Sequence, residues 1–202
     1  MLPQPNDTSS DAPRISASGS PEFTAQERAQ LLQLAHASIG AALQGAEIPL
    51  EPPSAHLAEF RGVFTTLYLH KELRGCVGYV FPVMPVYQAV AETARAAAFD
   101  DTRFYPLTQA EAPELRISLS VLSPLQPIRP EEIELGRHGL MISLHRYRGL
   151  LLPQVPVEHQ WDRITFLQQT CRKAGLPLDA WEQGASIEAF TTEVFSDKDL
   201  DQ

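Results

Sequence analysis

Apolar side chains recur at helical spacing in three stretches of the chain, each opened by a residue typical of a helix start. Thr24 and Glu27 have the spacing of a capping box, Pro85 suits a first helical turn, and Asp162 is a preferred N-cap residue. The apolar faces behind them are Leu31, Leu34, Ala35, Ile39, Ala42 and Leu43; Val86, Ala89, Val90, Thr93, Ala94 and Ala97; and Ile164, Leu167, Cys171 and Ala174. The pattern predicts three amphipathic helices, the last ended by Gly175 and Pro177.

Between the helices, the chain changes to short runs that are alternating or rich in β-branched and aromatic residues. These runs are 63–69 and 73–80 around a polar turn, 115–121, 140–144 and 150–152 around a turn at 145–149, and a closing strand at 187–195. The strands come in hairpins, with helices between the pairs. This order predicts an α+β fold of antiparallel sheets with packed helices, and it disfavours a parallel doubly wound sheet.

Length and composition are those of one globular unit. The chain has 202 residues, 44 % of them hydrophobic and 20 % charged, which suits a single core. Residues 1–22 are rich in Ser, Pro, Asp and Asn and are predicted to be a disordered tail. The folded domain is predicted at 23–198, followed by a short tail at 199–202.

The negative net charge of the chain disfavours two classes of binding partner. The net charge is -9 and only 16 residues are Lys or Arg, with no basic run, so neither nucleic acid nor an anionic membrane surface is an expected partner. No segment approaches the roughly 20 apolar residues that span a bilayer, and no secretory signal is recognisable. Two widely separated cysteines form no disulfide framework, and a cytoplasmic location is expected.

The most informative segment for chemistry is Arg74-Gly75-Cys76-Val77-Gly78. A thiol reacts as thiolate, which a nearby cation favours, and strand alternation places Arg74 and Cys76 on one face. Gly75 and Gly78 carry no side chain, so a ligand or another backbone can approach closely. The alternative is a buried cysteine on a strand weakened by glycine.

His138, between Gly136 and Gly139, is the candidate base for Cys76 because its pKa lies near neutrality. The alternative is a turn histidine bonded to local backbone. A metal site using Cys76 and His138 is a further hypothesis, although the possible ligands are scattered along the sequence. Cys171, on the apolar stripe of its helix, is predicted to pack in the core.

Two further polar residues are candidate ligand contacts. Arg103 has the fork geometry that binds a carboxylate or phosphate, or alternatively it pairs with Asp100 or Asp101. Gln154 is expected to present its amide to a cleft, or alternatively to lie at a surface strand end.

Several motifs in the same order resemble the AMMECR domain family, called AmmeMemoRadiSam system protein A in prokaryotes. They are LRGCVG at 73–78, DTRF at 101–104, ISLSVL at 117–122, GRHGL at 136–140, RGLLLPQV at 148–155 and CRKAGL at 171–176. The resemblance covers roughly residues 24–195. It implies two lobes flanking a cleft, with Arg74, Gly75, Cys76 and Gly78 in or near that cleft. It also implies a Memo-like protein and a radical SAM protein as partners.

The leading functional hypothesis is therefore an intracellular component of that three-protein system. Its Cys76-centred cleft acts on or binds a small anionic molecule. Cys76 and His138 are the predicted catalytic residues, and no cofactor is predicted. The predicted substrate contacts are Arg74, Gly75, Gly78, Arg103 and Gln154. The alternatives are a non-catalytic interaction or scaffold module, and a metal-binding protein.

Overall fold

A computed structural model of the chain describes residues 21–199. The predicted tails at 1–22 and 199–202 lie almost entirely outside these residues. The helices are α1 Ala25–Leu43, α2 Val86–Phe99, α3 Gln154–Glu158 and α4 Arg163–Lys173. The strands are β1 Val63–Leu69, β2 Glu72–Tyr79, β3 Arg116–Leu122, β4 Gln126–Pro127, β5 Gly139–Leu144, β6 Tyr147–Leu151, β7 Ser186–Phe190 and β8 Thr192–Ser196.

The strands form two antiparallel sheets, each with its own hydrophobic core. The first sheet has the order β2-β1-β3-β8, and α1 and α2 join it in the larger core. The second has the order β4-β7-β5-β6, and α4 packs on β5 and β6 over the smaller core. The predicted α+β class with antiparallel sheets is confirmed. The two lobes flanking a cleft stay a prediction.

Local sequence signals account for most element boundaries. The Thr24 hydroxyl accepts a hydrogen bond from the Glu27 N–H in a capping box, and Asp162 accepts one from the Thr165 N–H at the start of α4. The β1–β2 hairpin turns through His70 and Lys71, whose φ angles are 52° and 74°. Positive φ at both turn residues matches the twist of the flanking strands.

Three predictions about elements are wrong in detail. The closing strand 187–195 is two strands in different sheets, because the chain passes from β7 to β8 at Thr191. The turn predicted at 145–149 is shorter, since β6 begins at Tyr147 and Gly149 lies in the strand, against the Ala174 backbone that caps the end of α4. Ile164, placed on the buried face of α4, is exposed at its first turn.

Candidate functional site

Strand β2 carries the predicted site and is the edge strand of the first sheet. Its Gly75 is buried against α2, whereas Cys76 is half-buried on the opposite face, beside Thr66 of β1. The side chains of β1 on that second face are only half-buried. Cys76 therefore lies on the more accessible side of the sheet.

The two glycines that flank Cys76 make room for the protein itself. A Cβ on Gly75 would overlap the carbonyl oxygen of Ala97 near the end of α2. A Cβ on Gly78 would overlap the ring of Phe64 on β1. The expected close approach is real, and the approaching groups are another backbone and a neighbouring ring. The space beside these glycines is thus occupied without a ligand.

Cys76 is held by one side-chain contact and two main-chain contacts. Its Sγ lies 3.3 Å from Oγ1 of Thr66, its direct partner across the β1–β2 pair. Its N–H donates to Oδ2 of Asp101 at 2.9 Å, and its carbonyl oxygen accepts from Nη2 of Arg103 at 3.3 Å. Both main-chain groups that face the open edge of β2 are therefore bonded.

The groups that bond this edge form one ion pair, which we call the Asp101–Arg103 clasp. Asp101 accepts from Arg103 Nε at 2.9 Å and from Nη2 at 2.7 Å. Its side chain is 7 % exposed. The hydrogen bond from Arg103, followed by those from main-chain N–H groups, holds the pKa of Asp101 well below its usual range despite burial. The alternative interpretation, in which Arg103 pairs with Asp101, is confirmed.

Arg74 makes a second ion pair close by. Its Nε and Nη2 donate to the two carboxylate oxygens of Glu111 at 3.0 and 3.2 Å, the bidentate geometry of a strong pair. The N–H of Thr108 donates to the same carboxylate at 2.8 Å. These bonds, that from Arg74 foremost, lower the pKa of Glu111 to about 2.

Arg74 and Arg103 line one recess of about 400 Å³, which we call the arginine recess. The other lining residues are Phe104, Tyr105, Pro106, Thr108 and Glu111. The Arg103 guanidinium lies 5.5 Å from the Phe104 ring centroid, and the neighbouring Tyr105 is 90 % exposed. Within residues 21–199, the Nη1 atom of each arginine has no hydrogen-bond partner. The structure thus unites two predicted contacts from separate segments.

His138 belongs to a different part of the molecule. Its Nδ1 accepts the N–H of Glu134 at 3.1 Å, and within residues 21–199 no hydrogen bond joins it to Cys76. Burial, aided by Arg137 and opposed by Glu134, lowers the pKa of His138. The local role weighed as the alternative therefore describes its observed bonds, and the predicted base–thiol pair is not formed.

The other residues predicted from the sequence lie away from the arginine recess. Gln154 is half-buried at the first position of α3, so it lies at neither a strand end nor the arginine recess. Cys171 is fully buried in the second core, and burial raises its pKa. Among the residues described, no group of three or more His, Cys, Asp or Glu side chains could hold a metal ion. None of the helices within residues 21–199 is long and apolar enough to cross a bilayer.

Glu111 is the site residue that the sequence did not single out, whereas Asp101 was already named as an alternative partner of Arg103. Asp101 had one local signal, its position two residues before Arg103. Glu111 had none, since it pairs with Arg74 across 37 residues of sequence.

Comparison with known proteins gives a consistent result. The family model for AMMECR1 matches residues 32–195. A protein of Methanopyrus kandleri is 43 % identical over 190 residues, which cover 88 % of this chain and 92 % of the relative. A protein of Aquifex aeolicus is 39 % identical over 180 residues, covering 84 % and 92 %.

A solved structure agrees with these relatives. The crystal structure of an uncharacterized protein from Pyrococcus horikoshii matches with a TM-score of 0.64 and 40 % identity, over 83 % of this chain and 89 % of that chain. Since the family model and the relatives each cover most of the chain, it belongs to the AMMECR1 family.

Proposed function

We propose that this protein is an intracellular component of a system with a Memo-like protein and a radical SAM protein. In this role it binds a small anionic molecule in the arginine recess, which adjoins the strand that bears Cys76. The observation that carries the proposal is the convergence of Arg74 and Arg103 on one recess. Arg103 also bonds the main chain of Cys76, so a ligand held there lies close to the strand that bears the thiol.

The ion pairs prepare both guanidinium groups for a ligand. Each arginine commits Nε and Nη2 to its own carboxylate, which fixes the plane of the group and leaves Nη1 to donate outward. A donor fixed before binding loses little conformational entropy when the ligand arrives. The two carboxylates also cancel the two positive charges, so a singly charged anion suits the recess better than a polyphosphate.

The aromatic lining favours a ligand with a flat apolar body. Tyr105 is almost fully exposed, and Phe104 presents its ring beneath Arg103. A planar ring stacked on Tyr105 would bury apolar surface on both partners. We therefore propose a planar monocarboxylate as the ligand type. Cys76 is the nucleophile if the bound molecule reacts, since Arg103 connects the recess to the strand that bears this thiol.

The test is a calorimetric titration of the protein with benzoate, acetate and inorganic phosphate. Arg74→Gln and Arg103→Gln should each weaken benzoate binding about tenfold, the effect of losing one charge-assisted hydrogen bond. Arg129→Gln is the matched control, because Arg129 pairs with Glu132 at an exposed site outside the recess. Circular dichroism checks that each variant is folded. Absence of saturable binding by any of the three anions would refute the recess as an anion site.

A second candidate function, a protein-interaction module, is favoured by an exposed apolar surface. Phe60 and Val83 are both more than half exposed, and they lie near each other because Phe60 forms a β-bridge with Pro85. Clustered apolar side chains at a surface are typical of a protein interface. The double substitution Phe60→Ser and Val83→Ser should abolish co-purification with the Memo-like protein. Val194→Ser, at an exposed position of β8, should leave co-purification intact.

Loss of co-purification in both variants, or in neither, would count against this surface. We do not propose a metal site on Cys76 and His138, since within residues 21–199 they belong to no group of three potential metal ligands.

A further inference from the structure

A second recess, of about 170 Å³, surrounds His138 where the chain crosses between the two sheets. It is lined by His138 together with side chains from segments 123–128 and 189–191. The two crossing segments are tied together, since Ser123 N–H donates to the Thr191 carbonyl and Thr191 N–H donates to the Ser123 hydroxyl, both at 2.9 Å. We call this site the His138 recess. It is independent of the arginine recess and of the function proposed for it.

The hydrogen bond to Nδ1 fixes the tautomer of His138. Because the Glu134 N–H donates to Nδ1, a neutral ring must carry its proton on Nε2. Burial, aided by Arg137 and opposed by Glu134, lowers the pKa of His138, which favours the neutral ring. Within residues 21–199, Nε2–H has no acceptor. The recess therefore contains a fixed donor that a ligand can use.

The other polar groups of the recess define the complement to that donor. Apart from His138, none of the lining side chains is ionisable. The Ser123 hydroxyl already donates to the Pro124 carbonyl. The Thr191 hydroxyl and the Gln126 amide have no partner among the residues described, so both can accept or donate. The apolar walls come from prolines, Ile128 and Phe190.

We propose that the His138 recess binds a small uncharged carboxamide. Its carbonyl oxygen accepts from Nε2–H of His138, and its N–H groups donate to Thr191 or Gln126. The volume supports a small ligand, because drug-sized molecules occupy pockets of about 300–1,000 Å³. A carboxylate is disfavoured, since it would enter a recess without a positive charge and could not donate to the neighbouring oxygens.

Protonation of His138 should reverse this preference. A charged ring carries a proton on Nδ1 as well, which opposes the Glu134 N–H and breaks the bond that fixes the ring. The charged groups that act on His138 are Glu134 and Arg137, which pair with each other at 2.7 Å. Below the pKa of His138, the recess gains a positive charge and acetate should bind in preference to acetamide.

The proposal is tested by NMR of the imidazole nitrogens in ¹⁵N-labelled protein, titrated with acetamide and with acetate at pH 7.5. Addition of acetamide should change the ¹⁵N chemical shift of His138 Nε2 until the site is saturated. His138→Phe should weaken acetamide binding about tenfold, whereas His138→Gln, which keeps an N–H donor, should largely restore it. In these two variants the main-chain amide signals of residues 189–191 report binding.

His159→Gln is the matched control, because His159 stacks on Trp161 outside the recess. Equal acetamide affinity in His138→Phe and the unaltered protein would overturn the proposal. So would equal binding of acetate and acetamide at pH 7.5. Arg74→Gln should leave acetamide binding unchanged, which separates this result from the fate of the arginine recess.

Discussion

Removal of the Asp101 carboxylate is the sharpest test of how the edge of β2 is built. The carboxylate accepts bonds from Cys76 N–H and from the main chain and guanidinium of Arg103. A hydrogen bond to a charged group contributes about 1.5–3 kcal/mol. The Arg103 side chain is 57 % exposed, so its share is reduced to that of a surface pair, about 0–1 kcal/mol. Asp101→Ala should therefore lower the free energy of unfolding by about 1.5–4 kcal/mol.

Urea denaturation at pH 7 measures this loss. Asp100→Ala is the matched control, because Asp100 is 59 % exposed and lies 3.8 Å from Arg95. It should cost no more than about 0.5 kcal/mol. In the double variant Asp101→Ala with Arg103→Ala, the two losses should be less than additive, since both side chains act through one clasp. If Asp101→Ala costs as little as Asp100→Ala, the clasp does not stabilise the strand edge.

The same contact has a signature in pH. The pKa of Asp101 is depressed in the folded protein, whereas an unfolded aspartate titrates at about 3.9. A depressed pKa contributes stability that is fully present above the unfolded value and is lost as the pH falls toward the folded value. The stability difference between the unaltered protein and Asp101→Asn should thus be constant above about pH 5 and shrink below pH 4. A difference that stays the same at pH 3 would contradict the assignment.

Two further predictions concern the surroundings of the site. Gly75→Ala should destabilise the protein by about 1–3 kcal/mol, because the new Cβ overlaps the Ala97 carbonyl. Gly40→Ala should stabilise the protein by about 0.5–1 kcal/mol, because a Cβ at this position of α1 meets open space. Calorimetry that finds the two variants equally stable would refute the close approach of Gly75 to Ala97. Iodoacetamide should label Cys76 in the folded protein and spare Cys171, whose burial also raises its pKa. Peptide mass spectrometry that finds equal labelling would show that the second core opens readily.

The parts of the fold that could be predicted are those determined by residues close together in the sequence. Thr24 and Asp162 begin helices because each side chain bonds an N–H within its own first turn. The alternation of residues 115–121 marks a strand because one face is buried. The break at Thr191 has no such signal, since neither glycine nor proline interrupts residues 187–195. It is set by Ser123, which bonds Thr191 from a distant part of the chain.

In the candidate site, too, local motifs could be predicted, whereas contacts between distant segments could not. Arg74 and Arg103 could be named as a pair of candidates because each lies in a compact motif, but their common recess depends on the loop that returns to the edge of β2. Cys76 and His138 looked similar in sequence, since both have glycine neighbours. Gly75 serves contact with α2, and Gly139 lies against the ring of Phe190 in the second sheet. A flanking glycine therefore reports close packing, and only the packed structure shows what fills the space.

This packing determines how a ligand can reach Cys76. Helix α2 covers one face of β2, and β1 bonds one edge, so both routes are closed. The other edge is closed by the Asp101–Arg103 clasp, which bonds the N–H and carbonyl of Cys76 as a neighbouring strand would. The open face of the sheet is the direction that remains. The clasp thus performs two tasks, because it protects an edge strand from unwanted pairing and also fixes a guanidinium between the thiol strand and the arginine recess.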